Sequence, residues 1–429
     1  MATANSVAYG LSSAQTELYK KTNTDVMVAF KDFTEEYGWA DDTPDIRITA
    51  SANEMRLVID VNKEVGVANI AEGGYEAIAS SVSAENGTLS PIQMNARFSF
   101  STLYKKGWDG SGAKAGQIEN EVRFKALKKT QALARVFGQQ FYGYSNGYLA
   151  TVLSTQGASA TQTDLPLKDP FGDTDIDDTS ANGLAYLSLL FPAGEHVALV
   201  RSAAIVEIGV VNGPGTSGDG FLDVTFNASC TPTAGDFLVL ANAVTDATLA
   251  GTSYNKAPVG FLDATKSASV HGIATSSVPG WASYEDTTGG RWSVAKQKKM
   301  AQKIMNLGGV KADRMIIAQG VERDILAGES AARRYAPSDA YDLDGTFKAK
   351  GVKVMSSELV PPGTVGMWNN KAFTKKFFND LPSEQGGPDL FSTDKVQDRG
   401  LVQASLDFIM LRACTNRGGM AVATGLTEQ

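Results

Sequence analysis

Two residue types that carry much of enzyme chemistry are nearly missing from this 429-residue chain, which has two cysteines and two histidines. Cys230 and Cys414 stand far apart with no paired spacing, which argues against a disulfide framework and against a zinc site. That suits assembly in a reducing cytoplasm. His196 and His271 fall in predicted β segments without another histidine or a cysteine at ligand spacing, so a structural or surface role is expected of each. No metalloprotease helix, phosphate-binding Walker loop or nucleophile elbow is present. The expectation is a chain with no catalytic residue, no cofactor and no metal. Charged residues are sparse at 20% and the formal net charge is -8, which argues against a protein whose task is gripping nucleic acid. Long apolar runs are missing too: nowhere do about 18 apolar residues run together, and no charged n-region with an apolar h-region opens the chain. No membrane partner is expected, and the sequons at Asn86 and Asn227 read as chance matches.

What is there is length, glycine and alternation. With 43% hydrophobic residues, the chain can build two or three domains with real cores. Its 43 glycines and moderate aromatic content suit a β-rich mixed architecture with many turns. Two patterns imitate known sites. Gly213, Gly215 and Gly218 have the spacing of a dinucleotide fingerprint, but a second strand at Phe221 begins where the helix must start, so a hairpin turn is expected. Asp173, Asp175 and Asp177 resemble the start of a calcium loop, yet the sixth position is Asp178 and the twelfth is Leu184, so a solvated acidic loop is expected.

The most informative stretch is Gln117 to Tyr148, which reads as one long helix. Ile118, Val122, Ala126, Thr130, Leu133, Phe137 and Phe141 recur at helical spacing, with Phe124, Leu127, Ala134 and Val136 on neighbouring stripes. Gly143, Asn146 and Gly147 mark its end. Upstream, two segments alternate with period two: Met55, Leu57, Ile59, Val61, Val65 and Val67, then Ile92, Met94, Ala96, Phe98 and Phe100. Paired as a hairpin over about fourteen residues, they would reach about 45 Å, against a radius of gyration of about 13 Å for a 100-residue domain. Such a ribbon must find its partner on another copy of the chain. Ala68 to Ser90 is then its tip. The competing reading is a meander folded onto a local third strand.

The remaining segments fall into order around these. Ser12 to Tyr37 reads as an amphipathic helix, and Ser154 to Gly183 as a polar run without structure. From about Phe191 to Trp281, short strands are predicted at His196 to Arg201, Ile205 to Val211, Phe221 to Phe226, Phe237 to Leu240 and Val259 to Leu262, which suggests a small barrel or sandwich. Ser293 caps a predicted helix to Leu307 with Val294, Ala301, Ile304 and Leu307 on its apolar side. Strands are expected at Met315 to Ala318, Val352 to Ser356, Val365 to Trp368, Phe373 to Phe378 and Val402 to Leu411, and a helix at Val321 to Leu326. Lys125, Lys128 and Lys129 form one basic stripe; Lys296, Lys298, Lys299 and Lys303 form another, expected to face solvent or carboxylates.

This order of parts resembles the major capsid protein of tailed double-stranded DNA bacteriophages. The run VRFKALKKTQALARVFGQQFYG with GYLATV is similar to that family's spine helix and exit, WSVAKQKKMAQKIMNLGGVKADRMIIAQGVERDIL to its axial domain, and GVKVMSSELVPPGTVGMWN to the strand, turn and strand that follow. The resemblance implies an α+β capsid fold: an N-terminal arm at 1–48, an extended β-hairpin arm at 49–110 and a peripheral domain with the spine helix at 111–160. A polar loop at 161–190, a β-rich insertion at 191–290, an axial α/β domain at 291–384 and a peripheral C-terminal strand and tail at 385–429 complete it. The β insertion is outside the family's minimal fold.

The resemblance further implies a virion shell subunit that forms pentamers and hexamers around double-stranded DNA, assembled in the host cytoplasm. Separate scaffolding, portal and decoration proteins would be its partners. Met55, Leu57, Ile59, Phe98 and Phe100 are the expected contacts with the adjacent subunit. Two rivals stand beside it: a cargo compartment subunit resembling encapsulins, and a β-rich carbohydrate-binding module.

Overall fold

The computed structural model describes residues 49–51, 54–60, 84–89, 92–101, 113–143, 146–168, 187, 190–215, 220–241, 252, 254–323, 347–349, 352–377, 391–396 and 401–427. The expected N-terminal arm at 1–48, the helix at Ser12 to Tyr37 and the acidic run Asp173 to Asp178 lie outside them. Two compact units emerge: residues 1–41, 91–138 and 375–411 form the first, and 42–90, 139–374 and 412–429 the second.

Strands β1 (Thr49–Ser51), β2 (Glu54–Asp60) and β3 (Ala84–Leu89) form an antiparallel sheet in that order. Strand β4 (Ile92–Ser101) then leads toward the helix α1 (Ala113–Tyr142). The expected hairpin is thereby corrected. β2 pairs with β3, from within the supposed tip, while β4 pairs with a strand near the C-terminus, β20 (Leu401–Cys414), with Phe98 opposite Ala404 and Phe100 opposite Val402. Period-two alternation names a strand and its faces but is silent about the partner, and three segments of the chain carried equivalent alternation. The local meander was the better reading for Met55 to Ile59.

Helix α1 covers most of the expected range and stops at Tyr142, before Gly143. It contains no proline, and alanine, lysine, glutamine and arginine dominate it, all good helix formers. Its buried face in the first unit runs through Ala126, Thr130, Leu133, Ala134 and Phe137. Thr130 is tolerated at the centre because its hydroxyl donates to the Ala126 carbonyl, 2.8 Å away. Phe137 meets Phe408 edge to face with ring centroids 6.4 Å apart.

A closed antiparallel barrel follows, built from β5 (Ala150–Val152), β6 (Ser159–Lys168), β7 (His196–Arg201), β8 (Ala204–Pro214), β9 (Phe221–Cys230) and β10 (Phe237–Leu240), in the order β10-β5-β6-β9-β8-β7. Leu165, Leu167, Phe191, Val197, Leu199, Val211, Leu222, Val224 and Leu238 fill its interior, as six short strands leave room for side chains only. Strand β6 corrects the first part of the polar loop expected at 161–190, and residues 169–186 and 188–189 of that loop lie outside the described ones. β6 escaped notice because register shifts at Ser159/Thr161 and Gln162/Leu165 break its alternation. Buried Gln162 donates through Nε2 to the carbonyls of Gly157, Ser159 and Cys230 at 3.0, 3.1 and 3.4 Å, which satisfies a polar residue inside the wall. Gly213 and Gly215 lie where β8 turns back antiparallel into β9, the hairpin expected in place of a dinucleotide loop.

Beyond the barrel, the strand expected at Val259 to Leu262 is instead the start of helix α2 (Phe261–Lys266), because a four-residue apolar run cannot distinguish a buried strand from a buried helical turn. The ribbon β11 (Ser269–Val270) and β12 (Ile273–Ala274) comes next, then β13 (Tyr284–Asp286). Helix α3 (Val294–Gly308) starts at Ser293, whose side chain accepts from the Lys296 amide, and ends at Gly309 with φ of 65°. Its expected face is corrected: Gln297, Met300 and Ile304 are buried, whereas Val294 is 55% and Leu307 38% exposed.

Strands β14 (Arg314–Ile317), β15 (Phe347–Ala349), β16 (Val352–Ser356) and β17 (Val365–Trp368) complete most of a six-stranded mixed sheet. β18 (Phe373–Phe377), β19 (Phe391–Val396) and β20 (Leu401–Cys414) form a second sheet with β4. The last strand, β21 (Met420–Ala423), enters the six-stranded sheet between β13, parallel to it, and β17, antiparallel to it, giving the order β13-β21-β17-β14-β16-β15. This corrects the assignment of all of 385–429 to a peripheral domain, since 412–429 belongs to the second unit. All four β21 residues are buried, as a central strand requires.

Candidate functional site

Of the five residues expected to touch a neighbouring subunit, the fold places Met55, Leu57 and Ile59 on β2, opposite Leu89, Gly87 and Glu85. Phe98 and Phe100 sit on β4, a strand already paired within the chain. The five residues therefore do not form one ribbon. Both basic stripes can be followed in part. Lys299 lies 3.6 Å from the Asp286 carboxylate, Lys299 and Lys303 lie 5.7 and 5.6 Å from the Tyr284 ring centroid, and Lys296 donates to the Gly289 carbonyl. The second stripe is thus partly engaged by its own domain. Lys128 stands 5.8 Å from the ring of Phe124, which is 60% exposed.

The side chains that sequence reasoning missed are the exposed apolar ones on α3. Val294, Met305 and Leu307 are exposed, and the signal was countable: Val294, Met300, Ile304, Met305 and Leu307 cannot all occupy one face of about 100°.

Neither cysteine is poised for chemistry. Burial pushes the Cys230 thiol up to about 11 and the Cys414 thiol up to about 12, so both stay protonated and weakly nucleophilic. Among the described residues no cluster of ligating side chains could hold a metal ion. No described helix is long and apolar enough to cross a membrane. A recess lined by Gln139, Tyr142, Tyr148, Leu190, Leu359 and Pro361 has room for about one water molecule.

Two buried charges stand out instead. Asp236 accepts from Arg201 through both oxygens at 2.7 Å and from the Thr233 amide at 2.7 Å. Burial raises its pKa, but the Arg201 and Thr233 hydrogen bonds outweigh it and hold the carboxyl below its ordinary range. Arg412 is enclosed by apolar groups: its guanidinium lies 4.1 Å from the Phe141 ring centroid and 5.3 Å from that of Phe373, with one donor on the Phe141 carbonyl at 3.4 Å. Its Nε and Nη1 have no hydrogen-bond partner, and burial pulls its pKa down to about 9. Trp368 and Phe261 complete this aromatic cluster. These groups hold the fold together; none is arranged around a cleft.

Similarity to known proteins lies in the whole fold. The chain has the fold of a chain in the cyanophage A-1(L) capsid asymmetric unit, at a TM-score of 0.51 and 12% identity over 94% of this chain and 92% of that one. Lower similarity extends to the capsid of an empty GTA particle, at a TM-score of 0.41 and 10% identity over 90% of this chain and 88% of that one. The holo-SrpI encapsulin complex from Synechococcus elongatus PCC 7942 matches at a TM-score of 0.29 and 13% identity over 39% of this chain and 56% of that one. No protein-family model matches the chain, and no curated protein matches it in sequence. The molecule therefore carries a phage capsid fold. The resemblance to the major capsid proteins of tailed bacteriophages, read from the runs quoted above, holds at the level of the fold.

Proposed function

We propose that this chain is a structural shell subunit without an active site, which forms pentamers and hexamers that close into an icosahedral head around double-stranded DNA. The observation that supports this reading most is the two-way coverage. The cyanophage capsid chain is matched over 92% of its length and accounts for 94% of this one, so little of either chain is left over for a separate activity. Two further features agree with it. The chain is acidic, as suits an inner wall that does not trap DNA. Phe124, Val294 and Met305 leave apolar surface exposed on two helices.

Assembly would proceed through repeated head-to-tail contacts that close rings. Met55, Leu57 and Ile59 of β2 would bury apolar surface on the adjacent subunit, each Å² contributing about 25 cal/mol. A weak contact repeated by every subunit yields a strong lattice. Scaffolding and portal functions would come from separate chains.

Size-exclusion chromatography with negative-stain electron microscopy of the purified protein tests the reading. Closed shells or ring-shaped capsomers are expected, and a fully ordered chain that stays monomeric at high concentration would overturn it. Shells that enclose a protein cargo in place of nucleic acid would mark the compartment alternative.

A further inference from the structure

His271 joins three segments of the second unit. It is the first of the two residues turning β11 into β12, and both turn residues have positive φ, 55° for His271 and 81° for Gly272. Such a turn favours glycine and asparagine, and histidine is among the other side chains that reach positive φ. Hydrogen bonds hold both ends of this one. The main-chain oxygen accepts from the Thr88 amide at 3.1 Å and from the Thr88 hydroxyl at 3.4 Å. On the ring, Nε2 accepts from the Cys414 amide at 2.9 Å. Thr88 belongs to β3, and Cys414 ends β20. One buried residue thus ties the β1-β2-β3 sheet to the end of β20.

We propose that His271 is an acid-sensitive latch that holds the β1-β2-β3 sheet to the rest of the second unit while its imidazole is neutral and releases it on protonation. An imidazole that accepts at Nε2 must keep the lone pair there. Protonation sets one N–H against another, strips the Cys414 amide of its partner and leaves a cation in a site 9% exposed. The surroundings offer that cation little. β11 and β12 carry no other ionisable residue, and β3 carries only Glu85, three residues from Thr88. At the end of β20, Cys414 is held as a neutral thiol and Arg412 stacks on Phe141. Arg417 donates to the carbonyls of Thr265 and Ser267, and Asp263 accepts from Ser267. Burial accordingly holds the imidazole down to about 4, against an opposing hydrogen bond with the Thr88 backbone.

The latch is a property of one chain. Its consequence for assembly, the release of the strand bearing Met55, Leu57 and Ile59, rests on the shell reading.

Hydrogen–deuterium exchange of the full-length protein, corrected for intrinsic rates, tests it. Amides of β2 and β3 should open more by up to about tenfold per pH unit as pH falls from about 6.5 to about 4, while amides of β7 and β10 stay protected. His271→Gln, which keeps an acceptor but takes up no proton, should abolish the pH dependence. The same midpoint in His271→Gln, or uniform loss of protection in barrel and sheet together, overturns the latch. Because the chain has two histidines, selective ¹³C-histidine labelling supplies a second measurement that needs no variant to stay folded at acid pH. One resonance, assigned as missing from His271→Asn, should remain neutral below pH 5, and its titration near 6.5 would count against the proposal. Particle formation at neutral pH is scored separately, so failure of the shell reading and failure of the latch are distinguishable.

Discussion

Gly260 and Gly143 approach so closely that a methyl group on Gly260 would sit 1.8 Å from the Gly143 carbonyl oxygen and 2.9 Å from that of Gln140. Gly143 follows the last turn of α1 and Gly260 precedes the first turn of α2. The Asp263 amide of α2 donates to the Gly143 carbonyl at 3.3 Å, so one helix start satisfies the acceptor that the other helix end leaves over.

Gly260→Ala should therefore destabilise the second unit by about 3 kcal/mol, the upper end of overpacking effects, since backbone and not a flexible side chain is in the way. Gly157→Ala, at a position with nothing within 4 Å, is the control and should stay within about 0.5 kcal/mol. Urea unfolding midpoints of the two variants decide the matter, and equal midpoints would contradict the close approach.

Asp236→Asn should weaken the barrel by about 2 kcal/mol, the scale of hydrogen bonds to a charged group. The sign of the pH effect follows from the depressed pKa of Asp236. The carboxylate's contribution is complete above the ordinary aspartate range and is lost as pH falls through the lower folded value. Wild-type protein should lose stability there faster than Asp236→Asn, as read by thermal melts across an acid series. Parallel curves would show that the Arg201 pair contributes nothing.

Phe408→Ala should cost about 3–5 kcal/mol, because Phe408 is fully buried against Phe137. A double-mutant cycle with Phe137→Ala should leave a coupling of about 1 kcal/mol for the edge-to-face pair. Additive losses in denaturant unfolding would rule the contact out.

Arg412→Met should stabilise the protein by about 1–3 kcal/mol. It keeps an unbranched side chain against Phe141 and Phe373 and removes a buried cation with two unpartnered donors. Arg412→Ala should instead destabilise, as the vacated space is not refilled. A lower melting temperature for the methionine variant would mean that the cation has a partner after all.

How far the sequence alone could go is visible strand by strand. His196–Arg201, Phe237–Leu240, Val352–Ser356 and Val365–Trp368 were placed to the residue, because each alternates or runs apolar between clear turn residues. β6 reads as loop from the sequence, since two register shifts scramble its pattern and buried Gln162 supplies polarity from inside the wall. β21 is four residues long and reads as tail, because what makes it a central strand is its pairing on both sides with β13 and β17. On the assembly side, Met55, Leu57 and Ile59 were correctly read as strand residues, but their supposed partners Phe98 and Phe100 pair elsewhere.

What the sequence determined by itself was the kind of each element: the periods of 3.6 and 2, the serine and glycine that bound α3, and the shortage of chemistry-bearing residues. Those are properties of neighbours along the chain, set by sterics and local hydrogen bonding. Tertiary structure alone decided which strand lies beside which, that β4 is completed by β20 some 300 residues later, and which apolar stripe of α3 is covered. The reason is that a strand edge and an apolar face gain their free energy from whatever closes over them, and alternation makes every strand of suitable length an eligible partner.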